Sequence, residues 1–140
     1  MALDFLERCD IIEECYEFLL GYAAQGLPSE QGSAAGREVR NQLERTRNAL
    51  AGLRESYRRA IDRYELAPAE KYETFCSMLE RDAIDSLAAL ELVLAQPAIS
   101  SQLVDNLNAS SHLRALLTDL FLFGEILRSH MKVIVPADGA

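Results

Sequence analysis

REVRNQLERTRNALAGLRESYRRAIDRYE, residues 37–65, carries the most regular pattern in the chain. Its core-type positions are Val39, Leu43, Thr46, Leu50, Leu53, Tyr57, Ala60 and Tyr64, separated by alternating steps of four and three. Such a seam is coiled-coil-like, and here it runs for nearly four heptads. One helix of that length would span roughly 43 Å. Beside the seam, Ala49, Gly52 and Ser56 present small side chains. A glycine inside a helix costs about 1 kcal/mol relative to alanine, so Gly52 predicts a close approach by a neighbouring helix.

The same periodicity extends in both directions. Over residues 3–25, Phe5, Cys9, Ile12, Tyr16, Leu19 and Ala23 form a stripe that Cys15 and Tyr22 widen, and Gly26 with Pro28 ends it. GLPSEQGSAAG (26–36) reads as a loop, with Ser29 or Ser33 as cap of the next helix. ELAP (65–68) is a tight connection, with Pro68 suited to a first helical turn. Tyr72, Cys76, Leu79, Ala83, Leu87, Leu90 and Leu94 make a third seam, closed by Pro97. A fourth segment starts at Ser100 or Ser101 and reaches about Met131; DNLNASS (105–111) is its candidate interruption. Residues 132–140 read as a frayed or extended tail. No strand alternation of useful length and no internal repeat is found. Residues 1–140 therefore read as one all-α domain, an antiparallel up-down four-helix bundle with long helices.

Charge and cysteine usage narrow the function classes. The net charge is −8, which disfavours phosphate backbones and anionic lipid as partners. Eight of the twelve arginines fall within 37–65, but Glu38, Glu44, Glu55 and Asp62 are interspersed at pairing distances, so nucleic-acid binding is not expected. Cys9 and Cys15 lie too far apart on one helix for a disulfide. Cys9 and Cys76 occupy apolar seams, and Cys15 is flanked by Glu14 and Glu17, an environment that disfavours a redox-active thiolate. The start MALDFLERCDI has no basic region ahead of an apolar run, so a signal peptide is not expected there. No apolar run is long enough to span a membrane. A cytoplasmic setting is the expectation.

Two acidic pairs at i, i+3, Glu14/Glu17 and Asp82/Asp85, are the candidate metal ligands. They resemble the acidic motifs of the all-α nucleotide pyrophosphohydrolases, a resemblance that implies Mg²⁺ and a diphosphate substrate. Glu14, however, lies opposite the Ile12 seam and should face water, and the separation between the pairs is long for that pattern. A di-iron bundle site needs Glu-x-x-His, which neither His112 nor His130 completes. The cysteines and histidines share no zinc-chelating spacing either. SSHLRALLTD (110–119) resembles the phosphoacceptor box of sensor histidine kinases in placing His112 before Leu-Arg. It lacks the acidic residue after the histidine and the later proline.

What remains is a surplus of apolar surface. In LLTDLFLFGEIL (116–127), eight of twelve residues are large and apolar, more than one helix face needs. Leu113, Leu117, Leu120, Gly124, Leu127 and Met131 form the inward seam, with Leu116 and Phe123 at its edge. Phe121, Leu122 and Ile126 point elsewhere and read as an interface. Glu91, Glu125 and Asp119 are expected to border the core, reaching solvent or pairing with an arginine of residues 37–65. The resulting expectation is a non-enzymatic interaction protein (adaptor, regulator or dedicated chaperone) with a protein partner, as a homodimer and without cofactor. The alternative is a Mg²⁺-dependent bundle enzyme or small-ligand binder using Glu14, Glu17, Asp82 and Asp85.

Overall fold

The computed structural model describes residues 4–134, with side chains as far as Met131. Every regular element among the described residues is helical, and there are six helices rather than the four expected. They are α1 (Phe5–Ala24), α2 (Ala34–Ala51), α3 (Leu53–Arg63), α4 (Ala69–Leu94), α5 (Ser101–Asn108) and α6 (Ser111–Ile134). Of the tail expected at 132–140, residues 132–134 continue α6 as helix, and 135–140 lie outside the described residues.

Local chemistry sets the boundaries. Asp4 and Glu7 cap α1 reciprocally: the Glu7 N–H donates to Asp4 Oδ1 at 2.8 Å, and the Asp4 N–H donates to Glu7 Oε1 at 3.1 Å. Gly26, at φ +65°, turns the chain out of α1. Ser33 caps α2 through the Gly36 N–H, at 2.9 Å.

The two extra breaks fall within segments expected to be continuous. Gly52, at φ −107° and ψ 10°, leaves helical geometry and separates α2 from α3. Close approach there does come from α1, but through a side chain. The Arg8 guanidinium donates to the carbonyls of Asn48 (3.2 Å) and Ala49 (3.0 Å) and lies where a Cβ on residue 52 would stand. The second break is at Ala109 and Ser110, inside DNLNASS, where the Ser110 hydroxyl accepts from the His112 N–H at 3.3 Å.

Side-chain contacts fix the relative directions. The Arg40 guanidinium donates to the carbonyls of Leu94 and Gln96, while Arg54 meets Glu80 and the Tyr57 hydroxyl donates to the Tyr72 carbonyl. Both α2 and α3 thus run antiparallel to α4. Asn108 donates to the Leu19 carbonyl and Phe5 meets Phe123, so α5 and α6 both oppose α1.

The expected seams supply the core. Val39, Leu43, Thr46, Leu50, Leu53, Tyr57 and Ala60 are all buried, as are Cys9, Ile12, Leu19, Cys76, Leu79 and Leu90. Leu116 and Phe123, expected at an edge, are fully buried instead. Phe123 is the centre of an aromatic cluster. Its ring centroid lies 4.5 Å from Tyr57, 5.1 Å from Phe5, and 6.2 Å from both Tyr72 and Phe75. At these separations the rings contribute beyond the area they bury.

Candidate functional site

The surface between α4 and α6 holds the most distinctive chemistry. These helices are antiparallel, since the Ser86 hydroxyl donates to the His112 carbonyl (2.9 Å) while Phe75 meets Phe123. At one end, Pro68, Lys71, Tyr72, Phe75, Leu122, Phe123 and Ile126 line a hollow of about 270 Å³. Leu122 and Ile126, expected as interface residues, therefore share one apolar groove. Leu122 remains 53 % exposed and Ile126 is half-buried. Phe121, the third, is 55 % exposed but lies outside that lining. Met78, one turn beyond Phe75 on α4, adds another exposed apolar side chain.

The other end of the surface is acidic. Asp119 of α6 is only 6 % exposed and faces Asp82 of α4. Two carboxyl groups can hydrogen-bond only by sharing a proton. Burial first, and then the hydrogen bond and charge of Asp82, push the Asp119 carboxyl up to about 7. Its Oδ2 accepts no hydrogen bond. The expected arginine partner from residues 37–65 is absent here; the neighbour is a second acid. One turn further along α4, Asp85 Oδ2 lies 3.7 Å from His112 Nδ1, with both side chains substantially exposed.

The four acids considered as metal ligands are not gathered. Glu14 and Glu17 are exposed on α1, whereas Asp82 and Asp85 are half-buried on α4. The principal neighbours of α1 are α2 and α5, while those of α4 are α6 and α2. Among the described residues no group of three or more His, Cys, Asp or Glu side chains is arranged to hold a metal ion. Glu91 and Glu125 both reach solvent.

Several arginines of 37–65 are engaged within the fold. Arg40 pairs with Glu30 as well as gripping the end of α4, Arg58 meets Glu73 at 2.8 Å, and Arg54 meets Glu80 at 3.1 Å. The Glu30 site was not legible from spacing. Burial alone would raise its carboxyl, but the Ile99 N–H (2.6 Å) and the Arg40 guanidinium outweigh that and hold it below its ordinary range. Around it, the Tyr22 hydroxyl donates to the Ile99 carbonyl, and the Ser101 hydroxyl bridges the Leu27 N–H and the Tyr22 carbonyl. The loop of 26–36 is thus pinned to the start of α5.

The cysteines have structural surroundings. All three are free and buried. Burial, reinforced by Glu13, pushes the Cys9 thiol up to about 12, and burial also raises those of Cys15 and Cys76. A larger hollow, about 390 Å³, opens between α1, α3 and α6, where Phe5, Leu6, Ala60 and Leu127 are joined by Arg59 and Arg63. No helix among the described residues is long and apolar enough to cross a membrane. Comparison with protein families, curated proteins and solved structures gives no match to this chain.

Proposed function

We propose that this chain is a non-enzymatic cytoplasmic interaction protein that works as a homodimer, with the α4–α6 surface as its contact face. The observation that carries this reading is the pair Leu122 and Phe121, each more than half exposed on one helix. Leu122 also borders a groove whose other walls are Tyr72, Phe75 and Ile126. Large apolar side chains beside an apolar groove mark an association surface more often than a monomer's solvent face. A regulator or adaptor role fits the same face, because its groove offers shape and apolar area to a partner.

The antiparallel contacts favour a four-membered bundle in which two members are broken, α2 with α3 and α5 with α6. Residues 40 and 54, on either side of Gly52, meet α4 or its end at positions 94–96 and 80 in one antiparallel register, and Tyr57 continues in the same direction to Tyr72. In such a bundle α4 and α6 are neighbours with one shared outer face.

Light scattering on the purified protein tests the proposal. A dimer at micromolar concentration that Leu122→Asp converts to a folded monomer is the expected result. A wild-type monomer throughout that range would overturn it.

A further inference from the structure

We propose that the second copy docks antiparallel across a two-fold axis, so that Lys71 of each copy seats on the Asp82–Asp119 acid pair of the other. This inference rests on the homodimer reading and adds to it a register and a specific polar contact.

Lys71, Phe75, Met78 and Asp82 follow one another on α4 at steps of four, three and four, which places them on one stripe. Lys71 and Phe75 line the apolar groove. Asp82 stands at the acidic end, facing Asp119. The stripe is therefore cationic at one end, apolar in the middle and acidic at the other, with its ends about 16 Å apart along the helix.

Such a stripe is complementary to itself when reversed. A two-fold axis passing between Cys76 and Ser77 brings Lys71 opposite Asp82 of the other copy, and Phe75 opposite its Met78. Two-fold interfaces are isologous, so each such contact occurs twice. Leu122 and Ile126 on α6 flank the apolar middle and extend the buried area.

Neither end of the stripe is satisfied within the chain. Lys71 has no ion pair among the described residues, and neither Asp82 nor Asp119 has a cationic partner there. Asp119 Oδ2 is buried without a donor, an arrangement that costs stability until a donor is supplied. The half-buried Asp82 carboxylate is the member of the pair open to an incoming ammonium, which offsets the negative charge shared with Asp119. Two copies of a chain with net charge −8 repel each other; placing a lysine against each acid pair offsets that repulsion at the contact.

Charge reversal tests the register. Sedimentation equilibrium is run on wild type, on Lys71→Glu, on Asp82→Lys, and on an equimolar mixture of the two variants. Each variant alone sets like charges against each other twice, and its dimer should weaken at least about tenfold. The mixture restores opposite charges at both contacts and should recover a heterodimer of near wild-type strength. Should Asp82→Lys fail to fold, Asp82→Asn replaces it, and its dimer should be weakened while Lys71→Glu keeps the monomer's melting temperature. A wild-type dimer that both Lys71→Glu and the Asp82 variant leave intact overturns the register but not the homodimer. Wild type remaining monomeric overturns both. Association only with an added basic peptide would assign the acid pair to a different partner and overturn the inference.

Discussion

Arg8 occupies the notch that Gly52 leaves between α2 and α3, and its guanidinium donates to the Asn48 and Ala49 carbonyls freed by the break. The φ of Gly52, −107°, is accessible to any residue, so conformational freedom alone does not require glycine here. Ordinarily Gly→Ala in a helical setting gains up to about 1 kcal/mol. At position 52 the sign should reverse, with Gly52→Ala costing up to about 2 kcal/mol as the new Cβ pushes the Arg8 guanidinium off the Asn48 and Ala49 carbonyls. In an Arg8→Ala background the same substitution should be neutral or stabilising. Urea unfolding of the four proteins of that cycle checks the coupling, and additive effects would contradict it.

Asp119 should make stability depend on pH in an uncommon direction. Its carboxyl titrates near 3.8 when unfolded and near 7 when folded, so between those values the native state holds the extra proton. Stability then falls as pH rises from about 4 to 7, and the full cost persists above 7. Asp119→Asn supplies permanent N–H donors to Asp82 and should gain about 1–3 kcal/mol at pH 8. Thermal melts at several pH values, in the Lys71→Glu background to suppress association, should show the decline for Asp119 and a flatter profile for Asn.

Glu30 should act in the opposite sense. Its folded carboxyl lies below the ordinary value of 4.5, so its contribution is present above about 4.5 and is lost as pH falls through the lower folded value. Glu30→Gln should cost about 1–2 kcal/mol at neutral pH by removing the charge-assisted partner of Arg40. The substituted protein should also lose less stability on acidification. Equal acid sensitivity in both proteins would count against the assignment.

Phe123 and Phe121 are two positions apart and should respond very differently to truncation. Phe123→Ala removes the centre of the aromatic cluster and should cost about 3–5 kcal/mol. Phe121→Ala removes a mostly exposed ring and should change monomer stability by less than about 0.5 kcal/mol. Chemical denaturation of both variants in the Lys71→Glu background makes the comparison.

The helical seams were readable because burial repeats at the period of the helix, and every position from Val39 to Ala60 on the seam is buried as expected. Helix number was less readable. Gly52 suggested close packing, but a break also requires a partner for the freed carbonyls, and Arg8 lies forty residues away in sequence. Phe123 was misplaced for a related reason: a single-helix wheel knows one facing neighbour, whereas Phe123 meets rings from α1, α3 and α4. Of the α4–α6 surface, Leu122 and Ile126 were visible as surplus apolar residues. The Asp82–Asp119 pair was not, because it depends on the register between two helices. Its one local sign was an acid at position 119, among leucines.

The position of Phe123 has a consequence for synthesis. Phe5, Tyr57, Tyr72 and Phe75 leave the ribosome well before the ring that joins them, and Phe5 and Phe123 are separated by most of the chain. Until α6 emerges, the earlier helices carry apolar seams whose common contact does not yet exist. The aromatic core is therefore closed late, by a long-range contact, and a nascent chain stopped before residue 123 should expose those rings to chaperones rather than bury them.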